Sequence, residues 1–200
     1  SEETVEMKGS HFELTGASCP LKPVQQPHPP IWIGANADKA IERAARIGTC
    51  WYINPHNTIS TIKRQLDVYK KALDSLGKPF PDELPIRREV FVARTREEAI
   101  EICRPYLADK YKTYHAWGQS KAMPEGDNNL GQELDELLKD RFLIGSPVEV
   151  TERLVTLGRE SGVNLVVMSV QWPGMPQNLV LDTMHLLAEE VFPKVRAALG

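Results

Sequence analysis

Strand-then-helix alternation constrains this chain more than any other feature. Four times a short β-favouring run is followed, after a brief connection, by apolar residues at helical spacing. The runs are residues 31–35, 50–53, 85–93 and 165–170. Parallel strands cannot be joined by tight hairpins, so each needs a crossover, and a helix is the usual one. Alternation with short connections therefore implies a parallel sheet with helices packed outside it, an α/β architecture. Four such units suit a small open sheet, and equally half of an eight-stranded βα barrel. Length alone, 200 residues, favours the open sheet.

Local signals place the helices. Asn36 or Asp38 is positioned to cap the first, with Ala40, Ile41, Ala44, Ala45 and Ile47 on its buried face and Gly48 as a left-handed end. The second begins near Thr58 or Ser60. Ile59, Ile62, Leu66, Tyr69, Leu73 and Leu76 recur every three or four residues, one stripe against a core. Thr95 with Glu98 has capping-box spacing, and a helix follows to about Tyr111. Ser146-Pro147-Val148-Glu149 is the clearest helix start: hydroxyl cap, proline at the first helical position, carboxylate three after the cap. Gly162 ends that helix. The last helix carries Leu186, Leu187, Val191, Val195 and Leu199.

Two segments fall outside the alternation. Residues 1–30 hold a short hairpin pattern around Gly9, then an extended lead-in whose four prolines between 22 and 30 forbid helix and central strand. Residues 117–132 are polar, with Gly, Pro, Asp and Asn, and read as an exposed insertion.

Composition removes several function classes. A formal net charge of −3 gives no basic excess for a nucleic-acid partner. No apolar run approaches the roughly 20 residues of a membrane span, and the first residues lack the basic and apolar parts of a signal peptide. Cys19, Cys50 and Cys103 are widely spaced with no Cys-x-x-Cys pair, and the five histidines show no ligand spacing. The expectation is a cytoplasmic protein with no metal, no membrane and no nucleic acid.

The order of several fragments is more specific. Residues 23–36 (PVQQPHPPIWIGAN), 44–48 (AARIG) with Trp51, 91–93 with Thr95 and 97–99, 144–150 (IGSPVEV), 162–164 and 191–196 together resemble the bacterial luciferase-like flavin monooxygenase family across nearly the whole chain. The resemblance implies a TIM-type βα barrel. This chain then corresponds to its C-terminal half, strands five to eight, with residues 1–200 one incomplete barrel domain. It further implies reduced FMN as cofactor, with oxygen used to oxygenate a small organic substrate, and a flavin reductase as donor. A branch of the family uses deazaflavin for hydride transfer instead. Half a barrel has two open sheet edges, which favours association into a homo-oligomer. The competing expectation is a non-catalytic half-barrel that binds flavin or a partner. An unrelated α/β binding domain would need a phosphate loop or nucleophile elbow, and neither motif is present.

Active sites of βα barrels lie at the C-terminal ends of the strands. Gly34-Ala35-Asn36-Ala37 lies between a strand and a helix, where free N–H groups and the helix dipole make an anion site and glycine admits a phosphate close to the backbone. The resemblance places the cofactor's phosphate or side-chain region there. Asn54, His56 and Asn57 follow the second strand, Arg94 the third, Gln171 and Trp172 the last. His56 is the catalytic candidate, a hydrogen-bond donor or an acid or base near neutral pH. Tyr106, Tyr111, Tyr114 and Trp117 read as helix packing.

Overall fold

The computed structural model describes residues 4–131 and 134–200. The chain divides into two units, one up to Pro30 and one from Ile31 to Gly200. In the first, β1 (Val5–Lys8) and β2 (Glu13–Ala17) form the expected antiparallel hairpin.

The second unit carries the parallel architecture. β3 (Trp32–Gly34) pairs with β4 (Cys50–Tyr52), and a bridge from Ile53 to Ile86 joins β4 to β5 (Pro85–Val92). Two further strands flank β5: β6 (Leu143–Gly145) along Val90–Val92 and β7 (Leu165–Ser169) along Pro85–Glu89, all parallel. Ile86 faces Ile53 on one side and Val166 on the other, so the strand order is β3-β4-β5-β7. β5 is buried almost throughout, while β3 and β7 are half-exposed despite their apolar runs. The continuous apolarity of residues 31–35 predicts a strand covered on both faces, and that of residues 165–170 a plain apolar strand. Position explains the difference: within this unit they are the sheet's edges.

α1 (Asp38–Ile47) follows β3, α2 (Ile59–Ser75) follows β4 and α3 (Arg96–Ala116) follows β5. α2 buries Ile62, Leu66, Tyr69 and Leu73 as their spacing predicts, while Leu76 lies exposed beyond its last turn. α1 departs from expectation at both ends. Its N-cap is Ala37, which makes no side-chain cap. Gly48 is extended (φ −94°), not left-handed, and Ile47 is exposed. Glycine is needed at 48 for space: a Cβ would sit 2.8 Å from Ile33 Cγ1 and 2.9 Å from the Ala44 carbonyl oxygen. Gly162, ending α5 (Pro147–Ser161), does take the left-handed conformation (φ 72°), and Ser146 with Glu149 completes the capping box.

Residues 117–132 are not simply exposed. After a 3-10 turn at Gln119–Ala122, Met123, Asp127 and Leu130 are buried; residue 132 lies outside the described residues. These side chains pack with α3 and α4 (Leu134–Leu138), and Asp127 pairs with buried Arg141 at 3.0 Å. Isolated anchors in a polar stretch carry no periodicity, so the pattern hides them. The last helix is interrupted: α6 (Gln177–Leu186) and α7 (Phe192–Leu199) flank a π segment at Leu187–Val191. Pro193 lacks an N–H and crowds the preceding turn, which widens to accommodate it.

Candidate cofactor site

The C-terminal ends of β3 and β4 open onto a cleft of about 520 Å³. Gly34–Ala37 line it together with Asn54, His56, Tyr114, Trp117 and Gln119. A second cleft of about 510 Å³ lies toward β7, bordered by Lys110, Ser169, Gln171 and Trp172. Arg87, Tyr114 and Trp117 line both.

The four residues 34–37 are held from behind. The Trp51 indole donates to the Ala35 carbonyl at 3.0 Å, and the Gln65 amide donates to that of Asn36. Gln65 is itself fixed by the Asn57 amide at 2.7 Å. Both carbonyls are therefore occupied on the protein side. In the first turn of α1 the Ala40 N–H donates back to the Ala37 carbonyl at 2.8 Å, while those of Asp38 and Lys39 have no intrahelical acceptor, and the N-cap side chain supplies none. A Cβ at Gly34 would meet nothing within 4 Å, so the backbone there faces open space. Asp38 stands in the first turn, where its charge opposes an incoming anion. Arg64 grips both its oxygens at 2.8 and 3.0 Å and holds its carboxyl below the ordinary range. The arrangement offers free donors at a helix start, suited to a phosphate.

His56 is buried rather than solvated. Its backbone N–H donates to Asn54 Oδ1 at 2.7 Å, and the Asn54 amide donates to Asn36 Oδ1. Nε2 faces the Gln119 amide nitrogen at 3.3 Å, and Nδ1 meets the Tyr111 hydroxyl at 2.9 Å. An amide nitrogen only donates, so Nε2 accepts and Nδ1 carries the proton toward Tyr111. Burial, reinforced by the charges of Lys110, Arg87, Arg88 and Arg141, pushes the imidazole down to about 3. His56 thus stays neutral across the physiological range. Burial also pushes the Tyr111 hydroxyl well up, so it too keeps its proton.

A second polar cluster lies under the other cleft. Glu89 is fully buried, accepts from the Trp172 indole at 2.6 Å and pairs with Lys110. Burial lowers the Lys110 ammonium, with Glu89 opposing the shift. Arg87 donates to Ser169 Oγ at 3.1 Å and has no carboxylate partner among the described residues. Its cation stands on the wall shared by both clefts.

The remaining candidates separate. Gln171 and Trp172 border the second cleft, but the Trp172 ring is buried against Phe91 rather than free to stack on a ligand. Asn57 is fully buried behind the loop. Arg94 points away, paired with Glu190 at 2.6 Å. Tyr114 and Trp117, read as packing, line both clefts, and Trp117 is largely exposed. Arg87, Glu89 and Lys110 escape sequence reasoning, although the signal exists. Arg87, Arg88 and Glu89 are three successive charged residues inside a strand that is otherwise apolar, and Arg87 and Glu89, at i and i+2, share a face. Among the described residues no three metal-ligating side chains gather, and no helix is long and apolar enough to cross a membrane.

The luciferase-like monooxygenase family model matches residues 1–165. The chain belongs to that family. The FMNH2-dependent dimethylsulfone monooxygenase of Pseudomonas putida is 26% identical over 179 residues, covering 84% of this luciferase-like chain but 48% of the relative. The chain thus spans about half the length of the curated relatives it matches. Among solved structures, monooxygenase RslO1 from Streptomyces bottropensis superposes with TM-score 0.74 at 22% identity, over 96% of this chain and 56% of that one. An F420-dependent secondary alcohol dehydrogenase superposes with TM-score 0.72 at 19% identity, over 98% and 57%. The α/β fold is that of luciferase-like proteins.

Proposed function

We propose that this chain is the C-terminal half of a luciferase-like βα barrel and holds the phosphate end of reduced FMN in an oxygen-dependent monooxygenase. The observation that carries this reading is the uncapped start of α1 at the wall of an open cleft. Three other helices, α2, α3 and α5, have Thr58, Thr95 and Ser146 accepting from their first turns. α1 leaves its donors for a ligand. Curated relatives that use FMNH2 support FMN as the cofactor.

Each part then has a task. Gly34–Ala37 give backbone donors to the phosphate, and Gly34 keeps the approach clear. Neutral His56, fixed by Tyr111 and Gln119, holds the Asn54 loop in place and donates no proton near pH 7. Tyr114 and Trp117 present aromatic faces to the bound ring. Arg87 offers a fixed cation to partial negative charge on cofactor or substrate oxygen. The second cleft takes a small organic substrate. When bound, reduced FMN supplies the electrons with which molecular oxygen is activated and one oxygen atom is inserted into the substrate. A flavin reductase supplies reduced cofactor, and the sheet edges at β3 and β7 are covered by further barrel strands or by a second copy.

The deazaflavin-dependent dehydrogenase shares the fold, so the test has two arms. The chain is titrated separately with FMN and with F420, following ligand fluorescence. Saturable FMN binding, weakened roughly tenfold or more by Gly34→Asp through like-charge repulsion of the phosphate, supports the reading. F420 binding alone assigns the hydride-transfer branch, and binding of either without turnover in the presence of a reductase leaves a binding module.

A further inference from the structure

A second cationic site lies on the helix side of the sheet, away from the cofactor clefts. A cavity of about 270 Å³ sits between α2, α5 and the strands β5 and β6. Arg88, Arg141 and Arg153 line it, with Thr156 on its α5 side.

Two of these guanidinium groups are buried with too little negative charge. Arg141 is 5% exposed, and one of its nitrogens pairs with Asp127 at 3.0 Å. Its Nε and Nη1 are buried and have no partner. Arg88 is 2% exposed and donates only to the carbonyls of Pro55 and Asn57, at 2.8 and 3.1 Å. No carboxylate pairs with it among the described residues, and burial pulls it down to about 10. Arg153 donates from Nη1 to the carbonyls of Leu138 and Phe142. Two carboxylates border the cavity. Asp140 accepts from the Ile59 N–H at 3.3 Å, and Glu152 is exposed. Buried charges are normally paired, and buried donors normally bonded. Here three guanidinium-bearing side chains line one cavity, and two nitrogens of Arg141 beside it are enclosed without a partner.

We propose that this cavity binds a small tetrahedral oxyanion of the phosphate or sulfate type, held by Arg141 and Arg88. The anion accepts from the unspent donors of Arg141 and supplies the charge that Arg88 lacks. Arg88 also holds the backbone of Pro55 and Asn57, the residues on either side of His56. The site therefore backs directly onto the loop that walls the cofactor cleft. This proposal is independent of which cofactor the cleft takes.

The test is equilibrium dialysis of radiolabelled inorganic phosphate against the full chain at constant ionic strength, with sulfate and chloride as competitors. One saturable equivalent per chain, displaced by sulfate far better than by chloride, is expected. Arg141→Met and Thr156→Glu should each weaken it at least tenfold. Gly34→Asp, at the cofactor cleft, should leave it unchanged. Thr156 is exposed on α5, so its variant keeps the fold even where Arg141→Met does not, and circular dichroism checks both. Failure to find a stoichiometric equivalent overturns the proposal, and the cavity then holds water. Binding that survives Thr156→Glu but is lost in Gly34→Asp also overturns it, because the phosphate is then in the cofactor cleft.

Discussion

Acid should destabilise this protein through His56, by an amount that follows from its burial. The imidazole is 2% exposed and its folded value lies near 3, against 6.5 for a free histidine. Between those limits the unfolded chain binds a proton that the folded chain refuses. Unfolded protein then binds more protons, so stability falls as pH falls, beginning near 6.5 and ending near 3. Each unit is worth about 1.4 kcal/mol. At about pH 4.5, two units below the unfolded value, the group costs about 2.7 kcal/mol; at pH 7 it costs about 0.2 kcal/mol. The difference, about 2.5 kcal/mol, is a large part of the stability of an ordinary domain. His56→Gln removes the titration while keeping an amide to meet Tyr111 and Gln119. Urea unfolding of both proteins at the two pH values isolates the effect, because every other acid-sensitive group cancels in the comparison. The wild type should lose about 2.5 kcal/mol more than the variant on acidification. Equal losses would refute the reasoning: His56 would then be protonated in the folded state, through water reaching the ring or a shift in the Gln119 segment.

Other outcomes follow from the same packing. Lys110→Met strands the fully buried Glu89 carboxylate with only the Trp172 indole as partner, and should cost about 3 kcal/mol in urea unfolding. Lys110→Met with Glu89→Gln, which removes the stranded charge, should recover most of that loss. Gly48→Ala drives a Cβ against the Ala44 carbonyl and the Ile33 side chain, and should cost about 1–3 kcal/mol by thermal unfolding. Ser146→Ala removes the hydroxyl of the capping box and should cost about 1 kcal/mol. The two buried thiols should be slow toward alkylating reagents in native protein, since burial pushes Cys50 up to about 11 and Cys103 up to about 12, whereas exposed Cys19 should react readily.

Much of the fold was legible because its signals are local. Residues 146–149 announce α5 by hydroxyl, proline and carboxylate at fixed offsets, and the α2 stripe shows in its spacing of three and four. What the sequence hid depends on neighbours distant in the chain. The exposure of β7 reflects its place at a sheet edge, which no run of Leu and Val reveals. Met123 and Leu130 are single anchors in a polar stretch, set by what α3 and α4 leave uncovered. At the candidate site the glycine–alanine turn and His56 could be read from their place after strands. The burial that neutralises His56 could not, because it comes from Tyr111 on α3 and Gln119 beyond it. Asn36 and Asp38 both offer better capping chemistry than Ala37. Asn36 instead takes the Asn54 amide on its side chain, and Asp38 is held by Arg64. The missing cap is therefore a property of the packed loop, not of the local sequence.

The central claim is that the start of α1 receives the cofactor's phosphate. Its most direct test compares the affinities of FMN and riboflavin, which differ by that phosphate alone, in wild-type chain and in Gly34→Asp. The account predicts that wild type binds FMN at least tenfold more tightly than riboflavin, and that Gly34→Asp erases most of this preference while leaving riboflavin affinity unchanged. Equal affinities in the wild type, or a preference for FMN that survives Gly34→Asp, would contradict it.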